Sequence, residues 1–517
     1  MPDQETDPIS VRLSKLVELE RIGMDPYPSS WGVTDLAEDL LEAFQDDGPD
    51  IKCRIAGRAV AIRRHGKTTF FHLADRSSRI QAYLRQDELG DSYDLVDHLD
   101  IGDFVGVAGH LFRTRMGEIT VRVGEVALLA KALRPLPFGK LVESEDGDRT
   151  YHRVVDREFR YRQRYADLAV RPEARRVFER RSRIIQCLRN ELERRGFLEV
   201  ETPVLQPVYG GATARPFVTH HETLGIPLYL RIADELYLKR CIVGGLERVY
   251  EVAKDFRNEG IDRFHSPEFT MLEFYQAYAD YEDFMTLAEE LLVGLVGELT
   301  GGTEITYQGR TVNTTPPWPR VVFLDALAER GVAIDDLSRS ALAAEAERHE
   351  VEISEQEREG KILEALFDHL VEPTLEGPVF VIDHPRATSP LAKAHPRDSR
   401  LVERFEAYLF GREWANAFSE LNDPRDQRGR FEDQADLAAT GDLEAPNVVD
   451  EDFLRALEYG MPPTAGMGIG IDRLVMFLTD QPSIRDVILF PALRPEEGRV
   501  TEGEDTDQPI AEDGVES

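Results

Sequence analysis

The stretch 244-GGLERVYEVAKDFRNEGIDRFHSPEFTMLEFYQAY-278 decides how the rest of the chain is read. GGLERVYEVAKDF has the apolar alternation of a strand, and PEFTMLEFYQAY continues it. RNEGIDRFHS then becomes the loop joining two antiparallel strands. Arg257, Glu259, Arg263, His265 and Glu268 gather around bends marked by Gly260 and Pro267. Charges concentrated on a loop that rigid strands position point to a binding or catalytic site.

Further strand-like segments at 228–232, 268–276, 379–383, 402–410 and 413–420 predict a large mixed or antiparallel sheet with helices on it. Ahead of it, Phe178, Ile185, Leu188 and Leu192 recur at helical spacing over 174–196, Gly196 stops the helix, and Phe197 to Val200 read as a strand. Residues 300–375 are rich in Ala and Glu and are expected to be a helical insertion between sheet strands.

The first third of the chain has a different texture. After a helical pattern over 10–22, short runs rich in β-formers fill 51–135, with DELGDSYDLVDHLD between the third and fourth runs. Five strands with a short helix after the third is the layout of an OB-fold barrel, a common reader of single-stranded nucleic acid. The fold class is therefore α+β. Its expected parts are a helical extension at 1–50, a five-stranded OB barrel at 51–140, a larger domain at 141–495 and an acidic, disordered tail at 496–517.

Composition narrows the function classes. The 62 Lys and Arg against 97 Asp and Glu give a net charge of -35, which opposes any general electrostatic grip on membranes or nucleic acid. A polyanionic partner must be met by a local basic patch, expected from Arg113, Arg115, Arg160, Arg162 and Arg164. So acidic a composition also suits a salt-rich cytoplasm. Cys53, Cys187 and Cys241 are far apart and form neither a zinc motif nor a disulfide framework. No apolar run reaches the roughly 18 residues of a membrane span, so a cytoplasmic protein is expected.

FRNEG followed by HSPEFTMLEFYQAY resembles motif 2 of the class II aminoacyl-tRNA synthetases. GFLEVETPVL (196–205) resembles motif 1, and GMGIGIDRLVM (466–476) resembles motif 3. With GGATARPFVTHH, RIADELYLKR, EFRYRQRYADL, NAFSELNDP, ALEYGMPPTAG and IRDVILFPALRP, the wording is similar to the bacterial lysyl-tRNA synthetases over roughly residues 10–495. The chain departs from that pattern at Asp234 and Ser266, where relatives often carry Pro and Asn, and Trp414 is bulkier than its surroundings suggest.

The resemblance implies a class II catalytic domain on an antiparallel sheet flanked by helices, a homodimer built through motif 1, and ATP, L-lysine and tRNA(Lys) as partners. It implies Arg257 and Arg473 as catalytic cations on the triphosphate and the amino-acid carboxylate, where a planar guanidinium suits forked anions. Glu259, His265, Phe269 and Glu406 would complete the ATP site, with adenine stacked between Phe269 and Arg473. Gly466, Gly468 and Gly470 alternate along a strand and clear one face, as close approach of a ligand requires. RFEAYLFGREWANAFSE reads as a hairpin turning at 410–412 that brings Glu406 and Glu413 together. By resemblance these two hold magnesium, up to three ions with ATP; two close carboxylates need an intervening cation.

A lysine substrate has two ammonium groups and one carboxylate, so its pocket needs more acids than bases. The matching positions are Gly211, Glu235, Arg257, Glu273, Tyr275, Asn416, Phe418 and Glu420. The resemblance gives Glu235 and the Gly211 backbone to the α-ammonium, Glu420 and Tyr275, supported by Glu273, to the ε-ammonium, and Phe418 to the aliphatic stem. Each charge-assisted hydrogen bond is worth roughly 1.5–3 kcal/mol, whereas one methylene gives only about 10- to 200-fold, so rejection of ornithine does not follow.

In the barrel, Phe70, Gln81 and Glu118 match positions that read the anticodon, an aromatic face stacking a base while amide and carboxylate bond its edge. Phe71 should point the other way, into the core. Three rival readings are weighed. A relative that loads a lysine-like amino acid onto a protein would lack the barrel. A non-catalytic paralogue would lose Arg257, Arg473, Glu406 or Glu413. An aspartyl or asparaginyl enzyme would not place Glu235, Glu273 and Glu420 in its pocket.

Overall fold

Alternating burial along β1 (Lys52–His65), with Cys53, Ile55, Gly57 and Ala59 inward, sets the first barrel wall. This strand is long enough to serve two neighbours. Its first half pairs with β4 (Phe104–Arg113) and its second with β2 (Thr68–Ala74), a register shift between Ala59 and Ala61 marking the bend. β3 (Arg79–Arg85) and β5 (Ile119–Ala130) complete a closed barrel in the order β1-β2-β3-β5-β4, the parallel β3–β5 pair closing it. The expected helix after β3 is a pair of short turns, Gln86–Leu89 and Leu95–His98, around a 3₁₀ segment. An N-terminal helix, Pro8–Arg21, starts at Asp7, whose carboxylate caps the amides of Ile9 and Ser10.

This architecture comes from a computed structural model that describes residues 7–138, 141–143, 149–151, 156–354, 357–439 and 448–495. The tail expected at 496–517 lies outside the described residues. The chain divides into two compact units, Met1–Pro172 and Glu173–Ser517. Among the described residues no helix is long and apolar enough to cross a membrane.

The second unit opens with helix α1 (Pro172–Arg194), which buries Ala174, Val177, Ile184, Leu188 and Leu192. Phe178 and Ile185, expected on that stripe, are only half-buried; the inward face passes one residue earlier at both places. Gly196, at φ 81°, ends the helix in a conformation that favours glycine. An eight-stranded sheet follows. Its strands are β6 (Leu198–Glu199), β7 (Arg248–Phe256), β8 (Glu268–Ala277), β9 (Arg320–Val322), β10 (Val379–Ile382), β11 (Arg404–Leu409), β12 (Arg412–Ser419) and β13 (Thr464–Gly470). The spatial order is β9-β10-β11-β12-β13-β8-β7-β6. Every inner pair is antiparallel, and the sheet is mixed only because the edge pairs β9–β10 and β6–β7 are parallel.

Period-two alternation gives this sheet two unlike faces. Leu272 and Phe274 of β8, Phe405 and Ala407 of β11, Ala415 and Ala417 of β12, and Met467 and Ile469 of β13 join one core with α1 and with helix α3 (Tyr281–Thr300). The residues between them, Glu273, Tyr275, Arg404, Glu406, Asn416, Phe418 and the β13 glycines Gly466 and Gly468, face a cavity. Helix α2 (Glu235–Val243) lies between α1 and α3 in sequence.

The expected helical insertion at 300–375 needs correcting in its first third. Glu304–Tyr307 and Arg310–Asn313 form a hairpin, Arg320–Val322 is β9, and helices begin only at Phe323. The local sequence, EITYQGRTVN, is rich in β-branched residues around a Gln-Gly turn, which outweighs the Ala- and Glu-rich average of the window. Helix α4 (Glu359–Leu370) belongs to the helical remainder.

Candidate active site

The polar face of the sheet floors a cavity of about 1270 Å³. Strand register explains why the expected residues meet there. β7 and β8 pair without interruption from Arg248–Gln276 to Phe256–Glu268, so Arg257 leaves the end of β7 directly across from the start of β8. Its Nε donates to the Ile232 carbonyl at 3.4 Å, and its guanidinium lies 5.0 Å from the centroid of the Phe269 ring. In the loop beyond, Asp262 takes the backbone amides of Phe264 and His265 and pairs with His265 Nδ1 at 2.7 Å, which holds the imidazole toward the cavity.

On β11 and β12, Phe410 and Gly411 form a two-residue turn with φ of 56° and 73°, matching the twist of the flanking strands. A bulge follows: Tyr408 opposes Glu413, yet Glu406 opposes Asn416. The extra residue puts Glu413 and Asn416 on the same face as Glu406, where strict alternation would have separated them. Trp414, at the bulge, is driven into the core, edge-on to Trp318 at 6.3 Å.

Glu406 accepts from Arg404 at 2.5 Å and from the Tyr408 hydroxyl at 2.6 Å, and Arg404 also donates to Asn416 at 3.0 Å. Glu413 is raised above the ordinary carboxylate range by burial in the cleft and then by the charge of Glu406, although 38 % of its side chain stays accessible. Arg473, in the first turn of helix α5 (Ile471–Leu478), donates to the Glu413 carbonyl and lies 3.5 Å from its carboxylate. Asp472 fixes this helix start by accepting from Arg181 at 2.6 Å and from the Thr270 amide at 2.7 Å. Two oxygen-donor carboxylates beside cationic side chains fit magnesium, which takes one or two carboxylates and completes its shell with water and phosphate oxygens.

The part of the cavity around Glu235, Glu273 and Tyr275 is deeply buried and acidic. Gly211, at φ 90°, has no space for a side chain: a Cβ there would sit 3.0 Å from Ala233 Cβ and 3.3 Å from Glu235 Cβ. Glu273 accepts from the Tyr275 hydroxyl at 2.9 Å. Burial, then the charge of Asp255, pushes the Glu273 carboxyl up to about 8. Asp234 is raised well above the ordinary range by burial and by Glu273. Oxygens of Asp234, Asp255 and Glu273 all lie within 4.8 Å of one another. Arg231 offsets this charge in part, donating to Glu251 at 2.7 Å and lying 3.3 Å from Asp255.

Gly211, Glu235, Arg257, Glu259, His265, Phe269, Glu273, Tyr275, Glu406, Glu413, Asn416, Phe418 and Arg473 all line the cavity. Glu420 is not among the lining residues: it is 1 % exposed, with Oε1 against the cavity-lining Gly466 and Oε2 in ion-pair contact with Lys239. The alternating glycines also differ from expectation. A Cβ on Gly466 would come within 2.3 Å of both Glu420 Oε1 and the Tyr275 ring, so that space serves the protein's own side chains. Gly470 alone has no atom closer than 3.8 Å to such a Cβ. Sequence reasoning missed Lys239, Asp255, Arg231 and Arg404. Lys239 follows Glu235 by four residues in a helical pattern, a spacing that places it beside that acid.

The barrel carries a second group of expected residues. Phe70 stacks on Tyr83 at 4.6 Å, and Tyr83 in turn meets Phe112 at 5.9 Å, while Phe71 is fully buried as expected. Glu118 accepts from the Gln81 amide at 2.7 Å and pairs with His72 Nε2 at 2.8 Å. Much of the expected basic surface is paired with acids. Arg164 is 1 % exposed and bonded to buried Asp167 at 2.9 Å, Arg162 is bonded to Glu158 and Arg113 to Asp46, so their charge is spent locally. Abundant carboxylates capture most neighbouring guanidinium groups in so acidic a chain.

Residues 156–494 match the family described as tRNA synthetases class II (D, K and N), and residues 53–129 match the OB-fold nucleic acid binding domain. The chain is 52 % identical over 490 residues to the lysine–tRNA ligase of Carboxydothermus hydrogenoformans, covering 94 % of this chain and 98 % of that one. It is 52 % identical over 502 residues to that of Moorella thermoacetica, covering 96 % and 99 %. Against that of Thermotoga maritima it is 50 % identical over 501 residues, covering 95 % and 97 %. A cleft of arginines and buried carboxylates on an antiparallel sheet, an OB barrel before it and half-identity over nearly the whole length place the chain in the class II aminoacyl-tRNA synthetases, in the lysine–tRNA ligase family.

Proposed function

We propose that the chain joins L-lysine to tRNA(Lys) in two steps, in the cytoplasm and as a homodimer. In the first, a carboxylate oxygen of lysine attacks the α-phosphorus of ATP, forming lysyl-adenylate and releasing pyrophosphate. In the second, a ribose hydroxyl of the terminal adenosine of tRNA attacks the lysyl carbonyl and releases AMP. The observation that carries this reading is the gathering of Glu235, Glu273 and Tyr275 with Arg257 in one cavity: acids for two ammonium groups beside one cation for a carboxylate.

Arg257 holds the amino-acid carboxylate against the α-phosphate, and Arg473 draws off charge toward the leaving pyrophosphate; both groups are in place before reaction, so they cost no reorganisation. Glu259, His265 and Phe269 hold adenine and triphosphate. Glu406 and Glu413 would hold magnesium, which neutralises phosphate charge when bound. Gly211 and Glu235 meet the α-ammonium, Glu420 and Tyr275 with Glu273 the ε-ammonium, while Phe418 flanks the stem and Asn416 is a further lysine-binding position. Phe70, Gln81 and Glu118 read the anticodon. Charging of tRNA(Lys) with labelled lysine tests the whole sequence. Acid-precipitable lysyl-tRNA is expected, and its absence with folded protein, lysine and Mg-ATP would contradict the reading.

A further inference from the structure

Lys239 has no place in the chemistry above, yet it is a buried cation in contact with Glu235, which lines the cavity. It stands one turn after Glu235 on α2 and is 0 % exposed. Its Nζ donates to Glu235 Oε1 at 2.5 Å, contacts Glu420 Oε2, and lies 5.3 Å from the centroid of the Phe418 ring. Glu235 lines the cavity; Glu420, on the chain just past β12, is buried with Oε1 beside the Cβ position of the cavity-lining Gly466. One ammonium therefore ties an acid on a helix to an acid just past a strand of the sheet. An ammonium removed from water is costly unless well paired, and both of its partners are themselves assigned to substrate.

We propose that Lys239 is a positioning residue that sets amino-acid specificity: by tying Glu235 to Glu420 it fixes the separation of the two acids that receive the α- and ε-ammonium groups, and so the length of diamino acid that spans them. The inference depends on that assignment of the two glutamates. Burial pulls Lys239 down, but the charges of Glu235 and Glu420 more than offset it, so the ammonium stays protonated. With the tie intact, ornithine, one methylene shorter, engages one acid at the expense of the other. Without it, the two carboxylates and their carriers adjust independently, and the pocket accepts either length.

The test is ATP–pyrophosphate exchange by the full chain, comparing lysine with ornithine for the unaltered protein, Lys239→Met and Lys239→Arg. Lys239→Met is expected to raise KM for lysine about tenfold, with kcat within about threefold and KM for ATP unchanged. The lysine-over-ornithine ratio of kcat/KM should fall about tenfold, within the range one methylene can supply. Lys239→Arg keeps the charge but not its reach, so it should restore most of the lysine KM and leave the ratio depressed. An unchanged ratio in folded Lys239→Met overturns the proposal. Should the methionine variant fail to fold, Lys239→Arg decides alone, an unchanged ratio again overturning it. If the unaltered chain shows no lysine-dependent exchange, the functional reading fails together with the inference, a result distinct from failure of the variants alone.

Discussion

The face of the barrel and the floor of the cleft use similar side chains in opposite ways. On the barrel, Gln81, Glu118 and His72 satisfy one another through short hydrogen bonds, and the aromatic strip of Phe70, Tyr83 and Phe112 stacks on itself. In the cleft, the carboxylates of Asp234, Asp255 and Glu420 are buried close to other acids, with Arg231 and Arg257 beside Asp255 and Lys239 beside Glu420 as the nearby cations. A surface satisfied in advance binds by exchanging one set of contacts for another of similar worth. A buried site short of positive charge gains much more from a cationic ligand.

This contrast predicts large effects in the cleft and modest ones on the barrel. Arg257→Ala removes a cation positioned for the transition state and is expected to lower lysine-dependent pyrophosphate exchange about 10³-fold, measured as kcat/KM. A loss below tenfold would remove Arg257 from the chemistry. Glu420→Gln keeps the shape and deletes the charge: KM for lysine should rise about 10- to 100-fold while KM for ATP holds. Equal rises in both would mean a collapsed cleft instead.

The third effect is a pH dependence. Glu273, held near 8 by burial, must lose its proton to meet an ammonium group, so lysine binding below that pH releases a proton. KM for lysine should fall about tenfold per unit as pH rises toward about 8, then level off, and Glu273→Gln should flatten the profile. The same shift has the opposite sign for stability. Because the folded-state value lies above that of the unfolded chain, this group costs stability increasingly as pH rises from the ordinary carboxylate range through about 8. The smallest effect belongs to the barrel. Phe70→Ala should raise KM for tRNA about fivefold to tenfold, the worth of one stacked base, and leave exchange without tRNA untouched. A change in exchange itself would make Phe70 a structural residue.

The two regions were also unequally legible. Strand patterning was enough to place the barrel; the resemblance chose Phe70 as the outward residue, and alternation then sends Phe71 inward, where it is fully buried. Most strands of the large sheet were found within two or three residues, because a sheet with one apolar and one polar face writes period two into β8, β11 and β12; β9 was missed, and the segment expected at 228–232 is Ile226–Leu230 of a separate three-stranded sheet. The hairpin at Glu304–Asn313 was obscured by the composition of its neighbours. In the cleft, every residue that motif wording assigned except Glu420 lines the cavity, but the bulge that carries Glu413 to the side of Glu406 was not legible, since one extra residue leaves no mark on composition. Nor did the sequence show that Gly466 makes room for Glu420 and Tyr275. Ion-pair partners were least legible: Arg164 is claimed by Asp167 and Lys239 by two glutamates, choices made by three-dimensional proximity among many acids.

Selection of lysine by buried carboxylates is tested most directly by ATP–pyrophosphate exchange with each of the twenty amino acids, without tRNA and in high KCl. Exchange driven by lysine, with the other amino acids at background, is the expected result. Folded protein that is silent with lysine, or that exchanges as well with an uncharged amino acid, would contradict it.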